Sequence, residues 1–169
     1  MLNSVLKIIQ AVKERDPASS SSFWVVLLYP SIHVMIFYYI SRFLWLRNIR
    51  SIARLIMQIA RFLTGIEIHP GAKIGDGFFM DHAMGIVIGE TAVVGNNVSM
   101  LHSVTLGGTG KDIGDRHPKI GDGVLLGAGA SVLGNITVGR CSKVASGSVV
   151  LSNVPKFKTV AGVPAKVIG

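Results

Sequence analysis

The chain has 169 residues, of which 49% are hydrophobic and 15% charged; that length allows one core or a core with a small appendage, and the composition excludes a disordered chain. Lys and Arg number 17 against 9 Asp and Glu, a net charge of +8, which suits a polyanion such as a cofactor with several phosphates, anionic lipid or nucleic acid. The basic residues form no run and no nucleic-acid motif is present, so no nucleic-acid partner is expected.

Residues 1–65 read as an N-terminal helical region of about three helices. Within it, Phe23 to Ile40 is free of formal charge if His33 is neutral, and it reaches the length of a candidate membrane span. Pro30 interrupts the stretch, His33 lies near its middle, and Tyr29, Tyr38 and Tyr39 are polar-tipped. The stretch also starts late and lacks a small-residue cleavage site, so neither a span nor a signal peptide is expected. Beyond it, Arg42, Arg47, Arg50, Arg54 and Arg61 are spaced among Leu44, Ile49, Ile52, Leu55, Ile59 and Phe62. That is helical periodicity with a basic face, ended by Gly65. Helices packed within an oligomer are the first reading, and contact of the basic helix with lipid is the second.

From Ile66 the period changes. Aliphatic residues or Met recur at every sixth position: Ile68, Ile74, Met80, Ile86, then Ile88, Val94, Met100, Leu106, and finally Ile120, Leu126, Val132, Val138, Val144, Val150. A strand of about six residues makes one flat side, and three sides close a coil of about eighteen, so this spacing predicts a solenoid with the aliphatic residues inside. Ile88 then stacks with Leu106, Ile120 with Val138 and Leu126 with Val144, and the glycine beside each inward residue permits the corner. Cys141 lies in such a repeat turn and reads as passive; the lone cysteine excludes an intrachain disulfide and suits a reducing, cytoplasmic setting. The coil is expected over residues 66–154, with a C-terminal tail segment over 155–169.

Two interruptions break the frame, and chemistry belongs there rather than in regular coil. The first, Phe78 to Ile88, holds Asp81-His82. The second, residues 107–119, is polar and glycine-rich, ends in Asp115-Arg116-His117-Pro118-Lys119, and is expected to protrude as a loop. A neutral imidazole at His82 suits a general base near pH 7, although a lone histidine more often only satisfies a hydrogen bond. The histidines at 33, 69, 82, 102 and 117 show no zinc-site spacing, so no metal is expected.

Glu67-Ile-His-Pro-Gly, Met80-Asp-His-Ala, Gly85-Ile-Val-Ile-Gly-Glu-Thr-Ala, Ser103-Val-Thr-Leu-Gly-Gly-Thr-Gly, Gly114-Asp-Arg-His-Pro-Lys-Ile and Ala161-Gly-Val-Pro-Ala resemble bacterial serine acetyltransferase, over nearly the whole chain from Asp16-Pro17 onward. The resemblance implies an α+β protein, helices first and then a left-handed parallel β-helix of hexapeptide repeats, assembled as a homotrimer or a dimer of trimers. It implies acetyl-CoA as co-substrate and L-serine as acceptor, with His82 as the base and Glu67, where the family often has Asp, as its orienting carboxylate. Arg116 and His117 are implied to bind the serine carboxylate at the site of the adjacent coil, and Asp81 and Asp16 its ammonium; Asp16 before Pro17 reads equally as a helix N-cap. Gly108, Ala128 and Ser146 match the acetyl-CoA stretch, with Lys143 or Lys166 near the phosphates. Cysteine is implied as a feedback inhibitor at the same site. The family's complex with cysteine synthase uses a C-terminal isoleucine tail, which a chain stopping at Ile168-Gly169 lacks. The rivals are a hexapeptide acetyltransferase for a sugar or other hydroxyl, and a non-catalytic scaffold.

Overall fold

The computed structural model describes residues 2–19, 21–110 and 113–168, apart from the side chain of Leu2. Four helices come first: α1 (Leu2–Arg15), α2 (Ser22–Leu28), α3 (Pro30–Leu46) and α4 (Arg50–Thr64). The apolar stretch is broken where Pro30 opens α3, and α2 and α3 bend by 73° there; no single described helix is long and apolar enough to cross a membrane. α1 buries Ile8, Ala11 and Val12, the i, i+3, i+4 stripe of an amphipathic helix. α3 buries Ile32, Val34, Met35 and Tyr38, and the Tyr38 hydroxyl donates to the Ala72 carbonyl at 2.7 Å, tying α3 to the coil. α4 packs on its smallest residues, Ala53, Ala60 and Thr64, with Met57. It ends at Gly65, whose φ of 70° and amide bond to the Arg61 carbonyl (2.8 Å) make the left-handed cap expected at that glycine.

The rest is a three-sided coil. One sheet has the order β1-β4-β7-β10-β13 (67–68, 87–88, 105–107, 131–133, 149–150), and a second the order β2-β5-β8-β11 (73–74, 93–94, 119–120, 137–138). The third runs β3-β6-β9-β12-β14-β15 (79–80, 99–100, 125–126, 143–144, 159–162, 165–167). All neighbours are parallel except β14 with β15. The inward stacks are Ile68–Ile88–Leu106–Val132–Val150, Ile74–Val94–Ile120–Val138 and Met80–Met100–Leu126–Val144–Val160. Most of these side chains are fully buried, and each such Ile, Leu or Val contributes about 1.5–3 kcal/mol relative to exposure. The stacking expected for Ile88, Ile120 and Leu126 is therefore found. Ile86 sits instead in the corner before β4, also buried, because the first interruption adds two residues there.

The corner glycines fall into two kinds. Gly75, Gly95 and Gly121 are not among the residues of positive φ; a Cβ on any of them would lie 2.7–2.9 Å from the backbone of the next coil, so they serve close approach rather than turning. Left-handed backbone falls two residues later, at Gly77, Asn97, Gly123 and Cys141 (φ 54–67°). Residues 155–168, expected as a tail, contribute β14 and β15 to the third sheet.

Candidate active site

The edge of the coil between the third sheet and the first carries His82. Leaving β3, the chain makes two successive three-residue turns: the Ala83 amide donates to the Asp81 carbonyl (2.6 Å) and the Met84 amide to the His82 carbonyl (2.7 Å). His82 and Ala83 both have positive φ, 56° and 59°. Left-handed backbone at a residue with a side chain costs about 1–2 kcal/mol, and it persists where surrounding structure enforces it. Here the enforcement comes from buried Ala83 and Met80 on the inside and from the Gly85 amide bonded to the Gly65 carbonyl (2.8 Å). The result points His82 outward with 76% of its side chain exposed.

His82, Asp81 and Asp16 line one cavity of about 470 Å³, together with Tyr29, Ser31 and Met80. The nearest Asp81 oxygen is 3.9 Å from His82 Nε2, beyond hydrogen-bond range. Asp16 follows α1 and so is no helix N-cap: one carboxylate oxygen accepts from the Ala18 amide (2.8 Å), the other from the Tyr29 hydroxyl (2.6 Å). That bond to a carboxylate, followed by desolvation, pushes the Tyr29 phenol up to about 12. The helix N-cap reading of Asp16 therefore fails, and its carboxylate instead closes a local turn and faces the cavity. Glu67 is placed differently. Its carboxylate pairs with Arg61 at 3.0 Å, and no hydrogen bond joins it to His82 among the described residues.

Arg116 and His117 stand on another edge, between the first and second sheets, where the loop 107–119 leaves the coil. Thr91, one coil below, organises them. Its hydroxyl accepts from the amides of Arg116 (3.1 Å) and His117 (3.2 Å), and its amide donates to His117 Nδ1 (3.2 Å). His117 is buried against Gly89, where any Cβ would overlap its ring. Burial first, and then the Arg116 charge, hold its pKa below the ordinary histidine value. The Arg116 guanidinium pairs with Glu90 at 3.2 Å, and both side chains stay about one-third exposed. Lys119 bonds the Asp115 carboxylate and holds it below the usual carboxylate range. One side of the coil, six residues long, is roughly 20 Å. The two groups expected to hold one substrate are therefore not brought together within a single chain.

Ala128 and Ser146 do share the His82 edge. Above His82 come His102, then Ala128, then Ser146, linked by amide bonds from Ser103 to the Met84 carbonyl (2.8 Å), from Gly129 to that of His102 (2.9 Å) and from Gly147 to that of Ala128 (2.8 Å). At Gly129 and Gly147 a Cβ would meet open space, so the edge leaves room for a ligand laid along it. Gly108 lies on the loop's edge, beside Arg116, while Lys143 and Lys166 lie on the third sheet. No cluster of metal-ligating side chains exists among the described residues. Sequence reasoning missed Tyr29, Glu90, Thr91 and Gly89. Gly89, Glu90 and Thr91 had a signal, as part of the motif over residues 85–92, whereas Tyr29 had none.

Residues 117–152 match the family described as bacterial transferase hexapeptide (six repeats). Serine acetyltransferase of Bacillus subtilis (strain 168) is 54% identical over 160 residues, 95% of this chain and 74% of that protein. Soybean serine acetyltransferase complexed with serine superposes with a TM-score of 0.95 at 48% identity, over 98% of this chain and 68% of that one. Serine acetyltransferase from Brucella abortus strain S19 in complex with coenzyme A gives 0.97 at 50% identity, over 99% and 67%. The three-sided coil is accordingly the left-handed parallel β-helix of hexapeptide-repeat transferases. With that coil, its two interruptions and these likenesses along nearly its whole length, the chain belongs to the serine acetyltransferase family.

Proposed function

We propose that this chain transfers the acetyl group of acetyl-CoA to the hydroxyl of L-serine, giving O-acetylserine and CoA. The observation that carries the reading is the placement of His82, exposed on an enforced turn at a cavity shared with Asp81 and Asp16. Neutral imidazole takes the proton of the serine hydroxyl as its oxygen attacks the thioester carbonyl carbon. The C–S bond then breaks, and the leaving thiolate takes that proton from the imidazolium, so His82 ends neutral and no acyl-enzyme forms. General-base help of this kind contributes about 10²–10⁴-fold.

The two carboxylates match the serine ammonium. A free carboxylate calls for a cation at the other end, and the planar fork of Arg116 suits it in two bonds. Because Arg116 and His117 occupy a different edge from His82, a neighbouring copy supplies them, which makes a homotrimer the working unit and a dimer of trimers its larger form. The apolar outer face of α4, where Leu55, Ile59, Phe62 and Leu63 are 47–90% exposed, supports burial between copies. Acetyl-CoA lies along the His82 edge past Ala128 and Ser146, with Gly108 of the adjoining copy facing it and Lys143 or Lys166 toward the phosphates. Cysteine carries the same ammonium and carboxylate and competes for the same groups.

The test is thiol release from acetyl-CoA with L-serine, with sugars or with no acceptor. Wild type is expected to respond to serine alone, and His82→Ala to lose about 10²–10⁴-fold of that rate. Absence of serine-dependent release by wild type overturns the reading.

A further inference from the structure

The general base needs an orienting partner, and Glu67 is engaged by Arg61 at 3.0 Å. Asp81 is too far for a hydrogen bond at 3.9 Å. What does touch the His82 ring is His102, with ring centroids 6.0 Å apart and planes at 79°, an edge-to-face arrangement. This neighbour follows from the coil. The first interruption makes the step from Met80 to Met100 twenty residues instead of eighteen, and that step sets His102 one coil above His82 on the same edge. The corner beneath His102 is rigid: Ser103 has φ 59°, its amide bonds the Met84 carbonyl, and a Cβ on Gly85 would sit 3.0 Å from the Ser103 hydroxyl. His82 is exposed and free of hydrogen bonds among the described residues, so its ring pays rotamer entropy unless something selects one orientation. His102 also precedes Ala128 and Ser146 along the edge, so a donor laid along that edge reaches His82 past the His102 ring.

We propose that His102 is a positioning residue for His82, its ring selecting the imidazole orientation that meets the serine hydroxyl. The inference rests on the acetyl-transfer reading above. The experiment is steady-state kinetics in both substrates for wild type, His102→Ala, His102→Phe and His102→Gln, with His82→Ala as reference. An edge-to-face ring pair corresponds to about two- to tenfold in population, so His102→Ala is expected to lose about that much kcat while the serine KM stays within about twofold. His102→Phe keeps a ring edge and no proton, and it is expected to recover most of the loss; His102→Gln keeps polarity without a ring and is expected not to. An unchanged kcat in His102→Ala, a loss confined to the acetyl-CoA KM, or rescue by Gln rather than Phe overturns the proposal. Should His102→Ala fail to fold by circular dichroism, the Phe and Gln variants decide by the same contrast. Serine-dependent release by wild type with indifferent His102 variants sinks this inference alone, whereas no serine dependence in wild type sinks the parent reading.

Discussion

A methyl group added at Gly89 would overlap the His117 ring, so Gly89→Ala must push that ring from the Thr91 amide that holds it. Overpacking of this kind costs about 1–3 kcal/mol; the serine KM is expected to rise about tenfold with the fold retained, measured by kinetics beside circular dichroism. A KM equal to wild type would detach His117 from serine binding. The same histidine sets a pH dependence. Burial lowers its folded pKa below the 6.5 of the free side chain, and His69, half-buried against Trp45, is lowered for the same first reason. The folded state then binds these protons less readily than the unfolded chain, so their contribution is whole above pH 6.5 and drains as pH falls toward the folded values. Thermal midpoints are expected to drop on acidification below that point, and less so in His117→Asn; equal slopes would contradict it. The two segments that carry His82, Arg116 and His117 were legible because they interrupt a strict period, while the roles expected of these residues came from the family resemblance. Tyr29, which donates to Asp16, was not, since its partner is thirteen residues away and no pattern links them.

The corners explain at the level of elements why residues that look alike in sequence behave differently. Gly121 and Gly123 are two apart, yet the first admits no Cβ because the next coil is 2.7 Å away, while the second supplies left-handed φ of 66°. Cys141 occupies the second kind of position with φ 54°, where a side chain costs about 1–2 kcal/mol. Cys141→Gly therefore removes strain in the folded state, partly offset by the greater freedom of glycine when unfolded. It is expected to leave activity unchanged and stability equal or higher, checked by thermal unfolding and thiol-release rates; a large loss of rate would reveal a catalytic thiol. The helix count rose to four because Pro30 starts a new helix instead of merely interrupting one.

For the whole molecule, the decisive fact is that His82 and Arg116 stand on different edges of one coil. If copies complete each other's sites, His82→Ala and Arg116→Ala, each inactive alone, regain activity when co-assembled. In a random one-to-one mixture of a cyclic trimer, about a quarter of the shared sites pair an intact His82 with an intact Arg116. Co-refolding followed by thiol-release assay is expected to recover about that fraction of the wild-type rate. No recovery from a mixture shown to be heteromeric would place the whole site within one chain.

The sequence was enough to specify the coil, since a period of six with aliphatic residues inside has few other solutions, and its two interruptions marked where polar residues leave that coil. It also determined the end of α4, because Gly65 supplies a backbone conformation that other residues resist. Which residues meet was settled by packing in three dimensions. It turned Glu67 to Arg61, set His102 against His82, and separated Arg116 from His82 by one side of the prism. Periodicity fixes which face a residue takes, whereas contact between coils depends on the inserted residues at each corner.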